Sequence, residues 1–159
     1  HRKYSNQMVS RETIEKIIDA GLYAPSGMGQ QAVIILAITN KALRDQLSEM
    51  NRKIGGWDFD PFYEAPVVLV VLADTTRPTY IYDGSLVMGN LMNAAHSLGV
   101  DSCWIHRAKE EFESEEGKAI LKKLGISGSY EGIGHCILGY ALDTPDAAPR
   151  KPNRVVWVE

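Results

Sequence analysis

Cysteine is scarce: the chain of 159 residues has two, Cys103 and Cys136. That excludes a disulfide framework, and neither thiol belongs to a C-x-x-C pair. Four scattered histidines, with no H-E-x-x-H and no Cys/His cluster at zinc spacing, give no reason to expect a metal site. Two free thiols fit a reducing, cytoplasmic setting. Charge of one sign is not in excess either. A net charge of −3 argues against a general nucleic-acid binder, which is usually strongly basic. The longest apolar run, Val67–Ala73, is far short of the roughly 20 residues that span a bilayer, so no membrane partner is expected. No G-x-G-x-x-G opens a helix after a strand and no G-x-x-x-x-G-K-[ST] occurs, which leaves Rossmann and P-loop nucleotide sites unsupported. There is no internal repeat. The chain opens on His1 with no secretory leader pattern, which leaves room for residues upstream.

What is present is ordinary in amount, 45% hydrophobic and 23% charged, and suits one domain over residues 1–159. Ser10 is placed to cap a helix whose apolar face is Ile14, Ile17, Ile18 and Leu22, ended by Pro25 and Gly27. Ala32–Ile38 reads as a strand and Lys41–Met50 as a second helix. The aromatic stretch Asn51–Glu64 reads as a loop, either a lid or interface segment or one packed on its own rings. Val67–Ala73 reads as a strand covered on both faces. Asp83 is the expected cap of a third helix ending at Gly99. That helix is apolar almost all round, so it must be buried, in the core or against a second subunit. Asp101–His106 is a strand, Ser114 caps a helix stopped by Gly125, and Ile133–Leu142 is another strand. Beyond it, Pro145, Pro149 and Pro152 make a stiff tail, and Val155–Val158 is expected to dock as a last strand on a sheet edge, of this chain or of a second copy. The fold class is α+β, a largely antiparallel central sheet flanked by helices.

Four stretches carry candidate chemistry. They are Arg2-Lys3-Tyr4, Ala24-Pro25-Ser26-Gly27-Met28-Gly29-Gln30-Gln31, Ser102-Cys103-Trp104-Ile105-His106-Arg107, and Pro149-Arg150-Lys151-Pro152-Asn153-Arg154. Each alone is an ordinary turn or surface feature. Together, two basic clusters from opposite ends of the chain could meet one phosphate. A glycine-rich turn lets backbone approach a flat ligand. Cys103 and Cys136 read as inert core thiols, and His106 as a strand-end histidine or a proton donor to product.

The order [RK]-x-[FY], A-P-S-G-x-x-x-Q, an apolar central helix, G-V-D-S-C-W-I, I-L-G-Y and a basic end resembles the nitroreductase family over essentially the whole chain. The resemblance implies a nitroreductase-like, intertwined homodimer with FMN held between subunits. It implies electron transfer from NADH or NADPH, by a ping-pong mechanism, to nitroaromatics, quinones or similar flat electrophiles. Arg2 matches the basic residue near the flavin pyrimidine. Pro25, Ser26, Gly27 and Gln31 match the turn that cradles ring and ribityl chain. Trp104, Ile105, His106 and Arg107 match the segment over the flavin, where a backbone N–H faces N5. Arg150 and Lys151 match the phosphate clamp, with Arg154 a weaker match, and Asn51 matches an amide offered to the partner subunit. The alternative within the same fold is another reductive activity, enone reduction or dehalogenation, or flavin binding with little turnover. Two departures bear on substrate choice: the family's Asn in P-S-G-x-N is Gly29, and its Pro-aromatic pair after the Gln is Ala32-Val33.

Overall fold

The computed structural model describes residues 1–159. Four strands form one sheet: β1 (Val33–Ile38), β2 (Val67–Asp74), β3 (Asp101–Ile105) and β4 (Tyr130–Gly139). Their spatial order is β1-β2-β4-β3, and every neighbouring pair is antiparallel. Alternation along β2 divides the core. Val67, Leu69 and Val71 pack on Ile14 and Ile17 of α1 (Arg11–Leu22) and on Val87, Met88 and Leu91 of α3 (Tyr80–Ser97). Val68, Val70 and Leu72 face the other way, toward α2 (Lys41–Gly55), α4 (Ala108–Glu113) and α5 (Glu115–Lys123), where Leu47, Phe112 and Ile120 meet them. The Val/Leu run is therefore covered on both faces, as its continuous apolar pattern predicts. No helix is long and apolar enough to cross a membrane.

Several boundaries depart from the sequence reading. α2 continues to Gly55, so Asn51 is helical rather than the start of a loop. Gly56, at φ 67°, makes the left-handed stop, and Arg52 and Lys53 face the negative helix end. α3 begins at Tyr80, and Asp83 lies inside its first turn instead of capping it. The helix α4, unread from sequence, occupies Ala108–Glu113, while Ser114 caps α5 as expected, accepting from the Gly117 N–H at 3.0 Å. β4 starts at Tyr130, three residues early, and ends at Gly139. Val155–Val158 forms no strand within this chain. Its exposures run from 70% to 93%, while β1 keeps an open sheet edge.

The loop after α2 is closed on itself. Asp60 accepts from Ser48 Oγ at 2.5 Å and from the N–H groups of Phe62 and Glu64 at 2.9 and 2.7 Å, and it pairs with the buried Arg44. Trp57, Phe59 and Tyr63 stack in sequence at 5.2 and 6.0 Å. Burial works to raise the Asp60 carboxyl, but the hydrogen bonds from Arg44 and Ser48 outweigh it and hold the group below its ordinary 3.8. A depressed carboxylate stabilises the fold above the unfolded value and loses that contribution as pH falls through the folded one. Asp60→Asn should therefore be less stable at neutral pH. Its urea-unfolding free energy should also fall less steeply than that of the unsubstituted protein below pH 3.8.

The two ends of the folded body meet. Tyr4 bridges Ala141, Ser5 N–H donates to Tyr140 O at 2.9 Å and Leu142 N–H donates to Lys3 O at 2.8 Å. His1 and the Arg2 N–H both reach Asp143 at 3.1 Å. Arg2 thus stands at the root of the proline-rich tail.

Candidate functional site

The Pro25–Gln31 turn is tightly wound. Met28, Gly29 and Gln31 all have positive φ, at 54°, 65° and 50°. Ser26 Oγ accepts from the Gln31 N–H at 3.0 Å, which closes the turn and leaves the hydroxyl hydrogen free to donate. Gly27 N–H donates to Asp83 Oδ1 at 2.9 Å, and Thr79 Oγ1 donates to Asp83 Oδ2 at 3.0 Å. A Cβ at Gly27 would fall 2.1 Å from Thr79 Oγ1, so only glycine lets the turn sit this close to α3. Met28, 93% exposed, leads outward.

The strand-end segment lies beside the same helix start. A cleft of about 690 Å³ is lined by Trp104, His106 and Arg107, by Ile81 and Ser85 of α3, and by Ile133 of β4. The first turns of α3 therefore join the turn and the strand end within one chain. Trp104 lies against Gly134, where a Cβ would come within 2.4 Å of its Nε1. That indole N–H is buried and has no partner. Arg107 adopts φ 77°, and its guanidinium lies 4.1 Å over the Trp57 ring, so the aromatic loop touches the site here. Neither the His106 nor the Arg107 N–H meets an acceptor in the chain.

Behind this segment is a polar cluster in the core. His135 and Glu111 are fully buried and joined Nε2 to Oε2 at 2.9 Å. His135 Nδ1 meets Ile105 O at 3.2 Å. Asn51 Nδ2 donates to Glu111 Oε1 at 2.6 Å and to His106 O at 2.8 Å. The resemblance placed Asn51 toward a partner subunit. The structure places it at 0% exposure with both amide hydrogens spent inside its own chain. The extra helical turn that carries it explains the difference.

The tail side of the site is not assembled within one chain. Arg150 donates to Ala148 O at 2.7 Å, and Lys151 and Arg154 are exposed with no ion pair. Arg2 is exposed at the tail's root. Cys136 is fully buried and its thiol is pushed up to about 12, the behaviour of an inert core residue. Glu111 and His135 escaped the sequence reading, and Asp83 was read only as a helix cap, not as the partner of Gly27 N–H. For His135 there was one signal, a lone imidazole inside the apolar run Ile133–Leu138. Glu111 gave none, because a glutamate in Lys109-Glu110-Glu111 looks like any solvated helix face.

A four-stranded antiparallel sheet with helices on both faces, its glycine-rich turn and strand-end cleft meeting on one helix, defines an α+β domain with its candidate site at the start of α3. A model of the Nitroreductase family matches residues 1–140, and the chain belongs to that family. It is 31% identical over 150 residues to a protein of Archaeoglobus fulgidus provisionally named NADH dehydrogenase/NAD(P)H nitroreductase, covering 91% of this chain and 82% of that one. The crystal structure of a nitroreductase with bound FMN from Bacteroides fragilis superposes with a TM-score of 0.90 at 25% identity, over 99% of this chain and 92% of the other. A nitroreductase with bound FMN from Desulfitobacterium hafniense gives 0.88, also at 25% identity, over 99% and 92%.

Proposed function

We propose that the protein is an FMN-dependent oxidoreductase that takes electrons from NADH or NADPH and delivers them to nitroaromatics, quinones or similar flat electrophiles, acting as a homodimer. The observation that carries this reading is the cleft at Trp104–Arg107. It has a size suited to a cofactor, and two unpaired backbone N–H groups border it. A planar heteroaromatic ring with acceptor atoms on its edge satisfies such donors. The positive-φ turn at Met28–Gln31 offers bare backbone for close approach.

When bound, the flavin supplies the redox chemistry, and the protein supplies position and electrostatics. Pro25, Ser26, Gly27 and Gln31 hold the ring and ribityl chain, with the free Ser26 hydroxyl hydrogen as donor. Trp104 shapes the wall of the cleft, Ile105 is buried in the core behind it rather than lining it, and the His106 and Arg107 N–H groups would orient the reacting edge. Arg2 would supply positive charge to the reduced ring. Arg150 and Lys151, with Arg154, neutralise the phosphate. Donor and acceptor use the cleft in turn, which gives ping-pong kinetics, and His106, exposed at its rim, is the side chain placed to protonate product.

Uncovered apolar surface supports the dimer. On α3, Ile81, Tyr82 and Leu86 are 48%, 72% and 48% exposed, and Tyr23 and Met28 next to it are 81% and 93% exposed. The sequence reading expected this helix to be buried, and one copy of the chain buries only one side of it. A second copy covers such a patch and gives the tail its docking edge.

Purified protein should show flavin absorption bands in the blue that bleach anaerobically with NADH or NADPH. Sedimentation should give a dimer. A colourless protein that takes up no added FMN rejects the proposal, and a stable, active monomer rejects its shared site.

A further inference from the structure

The cluster formed by His135, Glu111 and Asn51 has no role in the reading above, although it is the most deeply buried polar group of the fold. All three residues are 0% exposed. Burial without partners is costly, so what these groups hold is informative. A carbonyl oxygen only accepts, so His135 Nδ1 must carry a hydrogen to meet Ile105 O at 3.2 Å. The contact of Nε2 with Glu111 Oε2 at 2.9 Å then holds one further proton, whichever atom carries it. The second carboxylate oxygen orients Asn51, whose remaining hydrogen goes to His106 O. The chain of bonds therefore ends on two successive main-chain carbonyls and nowhere else.

The peptide group turns this into a statement about the site. In a trans peptide the C=O and the following N–H lie in one plane and point in opposite directions. Ile105 is the register partner of His135, so the strand ladder and the imidazole together draw Ile105 O inward and turn the His106 N–H outward. Drawing His106 O inward to Asn51 does the same to the Arg107 N–H. These two N–H groups are the ones with no acceptor in the chain. The same bonds pin the backbone where Arg107 takes its left-handed φ of 77°, a conformation that costs a non-glycine residue energy and persists only when its surroundings impose it.

We propose that Asn51, Glu111 and His135 are positioning residues, which aim the His106 and Arg107 N–H groups out of the protein at the cofactor edge by holding the two carbonyls from behind. The aiming rests on the structure alone, and its use in reduction rests on the FMN reading.

The test uses the full-length protein. Asn51→Asp replaces the NH2 group that makes both donations with an oxygen that only accepts. Glu111→Leu cuts the link between His135 and Asn51. Glu111→Gln keeps it, because the glutamine amide donates to His135 Nε2 while its oxygen accepts from Asn51. Without flavin, the Arg107 Cα and Cβ resonances report its backbone conformation. They should leave their left-handed values in Asn51→Asp and Glu111→Leu and keep them in Glu111→Gln. With 15N-labelled FMN, the N5 resonance should move in the first two variants and be restored in the third. The kcat should fall by about 10- to 100-fold in the first two, with FMN affinity changing much less. An Asn51→Asp protein that keeps the left-handed Arg107, the N5 resonance and kcat overturns the proposal. So does a Glu111→Gln protein that is folded yet behaves like Glu111→Leu. Failure to take up FMN at all rejects the functional reading instead, and the Arg107 resonances then decide the positioning claim by themselves.

Discussion

Replacing Arg150 and Lys151 together with alanine is expected to release FMN. A phosphate monoester near neutral pH carries about −1.5 to −2 charges and needs several cationic donors. Each hydrogen bond to a charged group contributes about 1.5–3 kcal/mol. Loss of both therefore weakens FMN binding by roughly 10²- to 10⁴-fold. The fold itself should not notice. Both side chains are exposed, and their only bond within the chain is from Arg150 to Ala148 O. Far-UV circular dichroism should be unchanged while equilibrium dialysis shows the flavin lost. Raising the salt concentration should weaken retention in the unsubstituted protein, by screening, more than in the double variant. A double variant that retains FMN as well as its parent removes the phosphate assignment and leaves the rest of the site standing.

Gly132→Ala is expected to produce a large loss of stability. A Cβ there would lie 2.2 Å from Ala108 O and 2.3 Å from Ala108 C. Those atoms are main chain in the first turn of α4, so no side chain can rotate away. The helix must lift off β4, and it carries Glu111 with it. Overpacking of this kind costs about 1–3 kcal/mol, and more where backbone is the obstacle. For a domain of this size, that corresponds to a fall in melting temperature of roughly 3 to 10 °C. Thermal unfolding followed by circular dichroism reads the effect. A melting temperature within a degree of the parent would show that α4 does not press on the strand as described.

The sequence made some parts of the fold plain and concealed others, for separable reasons. The unbroken apolar run Val67–Ala73 identified the central strand, because a strand buried on both faces has nothing to vary. Ser10, Ser114 and Gly125 marked helix ends because capping is local chemistry, decided by a few neighbouring atoms. Asn51 misled because an asparagine has low helix propensity in isolation; its partners lie on α4 and just past the end of β3, far along the chain. Asp83 misled in the same way: a residue suited to capping its own helix instead holds the Gly27 N–H from another segment. Val155–Val158 had the composition of a strand, but composition says nothing about which edge it finds. For the site, the glycine-rich turn and the strand end were legible as motifs, and the structure puts both on one helix start. The buried cluster behind them was not legible, since burial turns an ordinary glutamate and histidine into something else only after the chain has folded.

The junction of Tyr4 with Ala141 gives the tail a fixed mooring. From Asp143, held by His1 and Arg2, seven residues lead to Arg150, which at full stretch is about 25 Å. The tail is thus a leash of known radius. A phosphate gripped by Arg150 must lie inside the sphere it sweeps, whichever subunit presents the rest of the cofactor. Lengthening the leash with a few flexible residues would keep every contact available while diluting the cation at its end, a purely entropic handicap.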